Sequence, residues 1–561
     1  TNTGTEGIQI NGEVSNPNGN LTITNKAGAL NVGNTGELKN KGTMTITNEE
    51  NGTGLTIDGT ATNDGTLNIT NSSGDNGLNI GGKVTNNTGA ATILNQKGGL
   101  NVNDGATVTS NGTSLDMDNY GSDGFNIDGD VISNAGTADL YNHDNVFNIN
   151  STGSVTSNGT DLNITNDGTN GLNIAGEVLN NSGTANILNT EGGLNVKTGG
   201  LVQSDGDALN MTNQGNGGFI VDGTIQNNKN IVTLTNEAGA FNVNAGGQVI
   251  SNGTKLAMTN SGAGGLNIAG LVDNNAGEAG ISNINTDAGL NVLNGGRVSN
   301  AGTKLLMSNS GNQGLNIAGT VESTAGSTEI NNMGGGLHVT DTGLVENSGA
   351  SLDMNNTGDG GFTIDGTVNN NSGTADLYNE NNKLLISSTG RINSKGSELN
   401  VTNKGTNGMH IQGIVKHQNT NGKVNFVNQD SNMVIGHETT EFNIDSDADV
   451  NIKVTDGNIL NYGVPKTLIR TTNKADLNMD VLNGSIGEDL GLCDGGICTG
   501  VGPGERDLTK SINTEVDGSI TAYSKGNGVL INIASLDKDM HVNKIHSDGK
   551  VILLADDKLN K

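Results

Sequence analysis

The chain has 561 residues, 89 of them Gly and only 3 Pro, with no Trp and 2% aromatic residues. So few large side chains cannot fill a wide globular core, and a narrow core extended unit by unit is the alternative. The formal net charge is −30, from 58 acidic and 28 basic residues. That excludes the basic stripe and stacking aromatics of a nucleic-acid binder, and the scattered charges suit solubility and self-repulsion in an extended protein.

From the first residues the chain repeats an opening, beginning at Gly7 (GIQING), Gly54 (GLTIDG), Gly77 (GLNIGG), Gly124 (GFNIDG), Gly171 (GLNIAG), Gly218 (GFIVDG), Gly265, Gly314, Gly361 (GFTIDG) and Gly408 (GMHIQG). Most steps are 47 residues, one is 49 (Gly265 to Gly314) and one is 23 (Gly54 to Gly77). A second opening follows usually 22 residues on: ALNV from Ala29, GLNV from Gly99 and Gly193, AFNV from Ala240, GLHV from Gly336. The unit is thus a coil of 22–25 residues, in two alternating types, and a period in this range specifies a solenoid.

Within one coil the apolar runs are Leu172–Ile174, Glu177-Val178 and Ala185–Leu188, separated by Gly, Asn and Ser. Leu-Asn-Ile alternates with the period of a strand, and Gly and Asn at every third or fourth position penalise helix. Three strands and three turns describe one triangular turn of a parallel β-helix, with Gly and Asn in the corners because they tolerate positive φ. A leucine-rich-repeat frame fails, because a Gly-containing turn follows Leu-Asn-Ile. The strict apolar period over some four hundred residues argues against disorder.

The third strand of each coil ends in Asn: Asn25, Asn48, Asn71, Asn95, Asn119, Asn142, Asn166, Asn189, Asn213, Asn236, Asn260, Asn285, Asn309, Asn332, Asn356, Asn379, Asn403 and Asn428. These are expected to form an inward amide ladder, bonding from coil to coil. Asn173 is expected to point outward, where replacement is nearly neutral. Gly54 to Asn76 reads as an additional coil of the first type, and two extra residues are expected to bulge near Glu278 to Ile281.

Residues 1–428 therefore form the repeat region, and 429–464 read as degenerate coils. There Asp445, Asp447, Asp449 and Asp456 have the spacing of positions 1, 3, 5 and 12 of a calcium-binding EF-hand loop. Val450 stands where that loop needs Gly and no helices flank it; alternating carboxylates on a strand account for the same residues. Ca²⁺ is the one cofactor the pattern admits. Residues 465–515 read as an irregular connection holding the only two cysteines, Cys493 and Cys498 in CDGGIC, whose short Gly-Gly loop allows a local disulfide. Strands resume in 516–561.

No His lies in metal-ligand spacing with a second His or a Cys. Asp128, Asp222 and Asp365 recur at corresponding turns, about two coils from one another, and are the one carboxylate set a hydrolase could use. No cluster of titratable groups emerges, so no catalytic residue is expected. The longest aliphatic run, near Val551 to Ala555, is too short to span a bilayer. No signal peptide is seen, and the chain starts at Thr1 with the repeat under way, as expected of an interior piece or a processed product.

The coil period, GLNI/GLNV with a terminal Asn, and the later segment DGSITAYSKGNGVLINIAS…SDGKVILLAD resemble the filamentous-haemagglutinin-like adhesins that diderm bacteria export by two-partner secretion. The resemblance implies a long right-handed parallel β-helix, export through an outer-membrane partner and a role in attachment. The expectation is an all-β, right-handed parallel β-helix of about eighteen coils, rising roughly 4.8 Å per coil to a rod of roughly 85 Å over the repeat region. Its expected role is a non-enzymatic, secreted adhesin segment at the cell surface, attaching to host-cell, bacterial-cell or glycan surfaces or mediating cell–cell contact. Two alternatives stand beside it: a self-assembling extracellular fibre subunit, as a homo-oligomer or end-to-end filament, and a β-helical polysaccharide-processing enzyme.

Overall fold

The computed structural model describes residues 1–489, 508–536 and 539–556. Cys493 and Cys498, with the disulfide expected between them, lie outside the described residues. The described chain is all-β and forms a parallel β-solenoid of about 22 turns, distributed over two compact units, Thr1–Gly280 and Ile281–Lys561. Among the described residues no helix is long and apolar enough to cross a membrane.

In the first unit a representative coil has three strands, Gly171–Ile174, Glu177–Asn180 and Thr184–Asn189. Each pairs in parallel with its counterpart one coil on, Gly193–Val196, Leu201–Ser204 and Ala208–Asn213. Alternation decides the faces: Leu172, Ile174, Val178, Ala185 and Ile187 point inward and are at most 1% exposed. Like stacks on like, so Phe125 lies on Phe147 at 4.5 Å and Phe219 on Phe241 at 4.7 Å between ring centroids. Dispersion and burial thus repeat coil by coil, as a thin core requires.

The third strand keeps its inward alternation to its last residue, which places a polar side chain in the core. Each amide Nδ2 donates to the Oδ1 of the next coil: Asn95 to Asn119 (2.7 Å), Asn119 to Asn142 (2.8 Å), Asn142 to Asn166 (2.8 Å), Asn166 to Asn189 (2.9 Å), Asn189 to Asn213 (2.8 Å), Asn213 to Asn236 (2.9 Å) and Asn236 to Asn260 (2.7 Å). All eight are fully buried. Nδ2 also reaches a carbonyl in the following turn, as Asn213 does to Gly215 at 2.7 Å. Two donors and one acceptor are therefore matched inside the fully buried core.

Two further rows are less visible in the sequence. Asn173 points outward but is half-buried in a second amide row, donating to Asn148 and accepting from Asn195, both at 3.0 Å. Its outward direction is the one expected, and the amide partners are what alternation alone does not show. The second strand also ends on a buried polar residue, Asn or Ser: Asn40, Asn63, Asn86, Ser110, Ser133, Ser157, Asn180, Ser204, Asn227 and Ser251. This row is only partly satisfied. Asn40 donates to Asn63 at 2.9 Å and Asn180 to the Ser204 hydroxyl at 3.2 Å, whereas both amide atoms of Asn227 and the hydroxyls of Ser157 and Ser251 have no partner among the described residues.

The alternation of coil types has a backbone cause. Gly171 opens a first-type coil at φ +80°, and a Cβ there would lie 2.3 Å from the Gly193 carbonyl oxygen. Gly193, which opens a second-type coil, is not at positive φ, and Ala240 takes the equivalent place one pair further on. First-type openings therefore require Gly, and second-type openings do not.

The second unit repeats this coil. Asn283, not Asn285, ends the strand Glu278–Asn283 and donates to Asn309 at 2.9 Å. The row continues from Asn309 to Asn332 (2.9 Å), Asn356 (2.7 Å), Asn379 (2.8 Å), Asn403 (2.7 Å) and Asn428 (2.9 Å). Asn285 is a turn residue whose Oδ1 accepts the Asp287 and Ala288 N–H groups. The two extra residues thus fall between Asn283 and Gly289 rather than at Glu278–Ile281, which belongs to a regular strand. A turn can lengthen without reversing the inward alternation, and a strand cannot. Stacking also runs past residue 428: Asp449–Asp456, Leu477–Asn483, Ile520–Ser524 and Val542–Ser547 follow one another in parallel. That continuation raises the turn count above the expected eighteen and takes in strands from the stretch expected to be irregular.

Candidate interaction surface

The four carboxylates with calcium-loop spacing do not converge. Asp449 and Asp456 are the two ends of one eight-residue strand, roughly 23 Å apart at about 3.3 Å per residue. Asp445 and Asp447 lie at the preceding second strand, Ile444–Ser446, and the turn after it. Each is already engaged by the next coil. Arg470 grips Asp445 with Nε at 2.8 Å and Nη2 at 2.9 Å, with its guanidinium 3.9 Å from the Phe442 ring centroid. Thr472 donates to Asp447, the Asp476 N–H to Asp449 at 2.8 Å, and Asn483 to Asp456 at 2.7 Å. Among the described residues no group of three or more His, Cys, Asp or Glu is placed to hold a metal ion. The calcium reading is therefore corrected to coil-to-coil bonding. Alternation along strands spreads these carboxylates, where a loop would gather them.

Asp128 and Asp222 of the first unit and Asp365 of the second are each half-buried in a turn. Asp128 and Asp222 are 94 residues apart, four coils rather than two, because the intervening first-type coil carries Ala175. At about 4.8 Å per coil that is roughly 19 Å, too far for paired carboxyl chemistry. Asp222 accepts from Asn244 at 2.8 Å, and Asp365 lies 2.6 Å from His338 Nε2.

A collection of titratable and aromatic groups lies elsewhere, on the outer face of the third strands in the first unit. Ser114–Asn119 and Thr137–Asn142 pair in register, which sets Asp116 beside Asp139 and Asp118 beside Tyr141. Just beyond the strand ends, His143 is sandwiched between Tyr120 and Tyr141, with ring centroids 3.7 Å from each. Tyr120 is 51% exposed. The Tyr141 hydroxyl donates to Asp167, which raises its pKa to about 12, and Asp167 also accepts from Thr190 at 2.8 Å. Burial, then Asp118, then Asp139 push the Asp116 carboxyl up to about 6. Asp118 is raised as well, chiefly by burial, with His143 acting against it.

The second unit carries part of this constellation 237 residues on: SLDMDN at Ser114–Asn119 and SLDMNN at Ser351–Asn356, then TADLYN at both Thr137–Asn142 and Thr374–Asn379, with Asn355, Thr357 and Glu380 in the places of Asp118, Tyr120 and His143. Asp353 stands beside Asp376, and its pKa is raised by burial first and Asp376 second. Lys404 replaces Asp167 there, with its ammonium 5.1 Å from the Tyr378 ring centroid and 3.5 Å from Glu380. The repeated TADLYN is the sequence signal that could have located both surfaces. Their chemistry is display of carboxylates and aromatic rings on the outer face of a parallel sheet. The cavities of about 300 Å³ near Pro17 and about 310 Å³ near Tyr523 are elsewhere. Compared with known proteins, the chain matches no family model, no curated protein and no solved structure.

Proposed function

We propose that the chain is a non-enzymatic, surface-displayed adhesin segment that holds binding surfaces away from a bacterial cell and attaches to host-cell, bacterial-cell or glycan surfaces. The observation that carries this reading is repetition: an in-register carboxylate pair beside a tyrosine, Asp116/Asp139 with Tyr141 and Asp353/Asp376 with Tyr378, occurs on the outer sheet face of each unit. A catalytic centre gathers convergent groups in one concavity, whereas duplicated surfaces serve simultaneous attachment, where avidity multiplies modest contacts. The third-strand amide row within each unit supports the same reading, because a spacer needs coils that hold to their neighbours. The resemblance to filamentous-haemagglutinin-like adhesins adds secretion to the cell surface.

The test is electron microscopy of the native cell surface with an antibody to this segment, together with binding of cells to immobilised protein. Thin projections labelled once, with saturable cell binding, support the adhesin. Filaments bearing the label at regular intervals replace it with a self-assembling fibre. Depolymerisation of a polysaccharide by the purified chain overturns both.

A further inference from the structure

Stacking in register brings one position of successive coils to about 4.8 Å. On the outer face of the third strands that position is held mostly by neutral groups, as in Asn163, Asn186 and Asn210, each donating to the residue before it at 2.6–3.0 Å. At two places it is held by carboxylates on consecutive coils. Like charges directly opposite each other in a sheet repel, and here the pairs are half-buried, where water screens them less.

We propose that the in-register pairs Asp116/Asp139 and Asp353/Asp376 are pH-sensitive clamps. Sharing one proton in mildly acidic surroundings, each pair draws its two coils together; fully ionised at neutral pH, it loosens them. The proton has a defined place. Asp139 and Asp376 each accept an amide hydrogen from the following coil, from Asn163 and Asn400, both at 2.6 Å, so one oxygen of each is already engaged on that side. Asp116 and Asp353, whose carboxyls burial and their acidic neighbours raise, take the proton.

The surroundings support this assignment. Around Asp116 the preceding coil presents neutral Thr92 and Leu94, its own strand presents Asp118, and the following coil presents Asp139, Tyr141 and His143. One coil further are Asp161 and Asp167. His143 is the one group among these that can carry positive charge, and it acts on Asp118. Around Asp353 the preceding coil presents Glu329, ion-paired to Lys304 at 2.8 Å. Its own strand adds Ser351 and Asn355; the following coils add Asp376, Tyr378, Glu380, Glu398 and Lys404, whose ammonium is paired to Glu380.

The sign follows from linkage. A carboxyl whose folded pKa is raised holds a proton that the unfolded chain has released, so the closed coil gains as pH falls and the gain is lost as pH rises through the folded value. For Asp116, with a shift from 3.8 to about 6, the local opening constant should fall by up to about tenfold between pH 7.5 and pH 5.

Hydrogen exchange of the full chain, read by mass spectrometry and corrected for the intrinsic pH dependence of exchange, measures this opening locally. Protection of residues 114–119, 137–142, 351–356 and 374–379 should rise on acidification, while 184–189 and 208–213, which carry Asn at this position, stay level. Asp116→Asn and Asp353→Asn should each raise protection at pH 7.5 and flatten the profile of their own coil pair only. Asn already occupies this position in neighbouring coils, so the variants suit the fold, and the wild-type profile is an independent reading. Protection that is level or falls on acidification at the four segments overturns the proposal. So does a rise shared equally by the control segments, which would reflect the net charge instead.

Discussion

Replacing Asn213 by Ala tests how much the buried amide row contributes. The side chain is fully buried; it accepts from Asn189 at 2.8 Å and donates to Asn236 at 2.9 Å and to the Gly215 carbonyl at 2.7 Å. Alanine leaves one amide hydrogen and one amide oxygen without partners in a buried corner, and takes from the Gly215 carbonyl one of its two donors, the Gly218 N–H remaining. Each such orphan costs about 1–3 kcal/mol, and partial relaxation brings the total to about 3–5 kcal/mol. A solenoid coil contacts only its neighbours, so the loss should stay local. Amide exchange at 184–189, 208–213 and 231–236 should accelerate by about two to four orders of magnitude, with coils further along unchanged. Asn173→Ala is the control: it also loses two amide bonds, both at 3.0 Å, but on a half-exposed face where water replaces them. Its cost should be about 0.5–1 kcal/mol. Equal acceleration in the two variants, or none in Asn213→Ala, would refute the account of the row as a buried polar spine.

Gly171→Ala should destabilise its coil by about 2–4 kcal/mol, from positive φ and collision with the Gly193 backbone, whereas Gly193→Ala should be nearly neutral. Thermal melts of the two variants check this, and similar melting temperatures would contradict it. His417, 1% exposed in the second-strand row between Ser394 and Ser446, has its pKa lowered by burial, opposed by the Asn419 backbone and Asp447. The unfolded chain then binds the proton first, so this contribution is intact above about pH 6.5 and is lost as pH falls below it, opposite in sign to the carboxylate clamps. Exchange at 414–417 between pH 7.5 and 5.5 should accelerate in the wild type and less in His417→Asn; identical profiles would count against it. Arg470→Ala should expose the half-buried Asp445 to loss of its bidentate partner and cost about 1–3 kcal/mol, and added Ca²⁺ should not restore the melting temperature. Restoration by Ca²⁺ would reinstate the metal reading.

The amino-acid sequence by itself determined the strand period, the coil length and the identity of the inward face. These depend on i, i+2 alternation and on a repeat visible at a fixed spacing, both of which are local. Asn at the end of each third strand is legible for the same reason, since one residue type marks one position through successive coils. Where the turn lengthens, spacing alone misplaces the mark, and Asn285 stands in for Asn283. The tertiary structure alone decided what each coil meets in the next. The second-strand row mixes Asn with Ser and takes His417 between Ser394 and Ser446, so no single letter betrays it. The outward Asn173 acquires partners 22 and 25 residues away. Gly is obligatory at Gly171 and dispensable at Gly193 because only one of the two backbones turns into its neighbour's carbonyl. Asp116 and Asp139 stand 23 residues apart in the chain and side by side in the sheet. Neighbour relations of this kind come from stacking register, which each coil acquires from the coil beneath it.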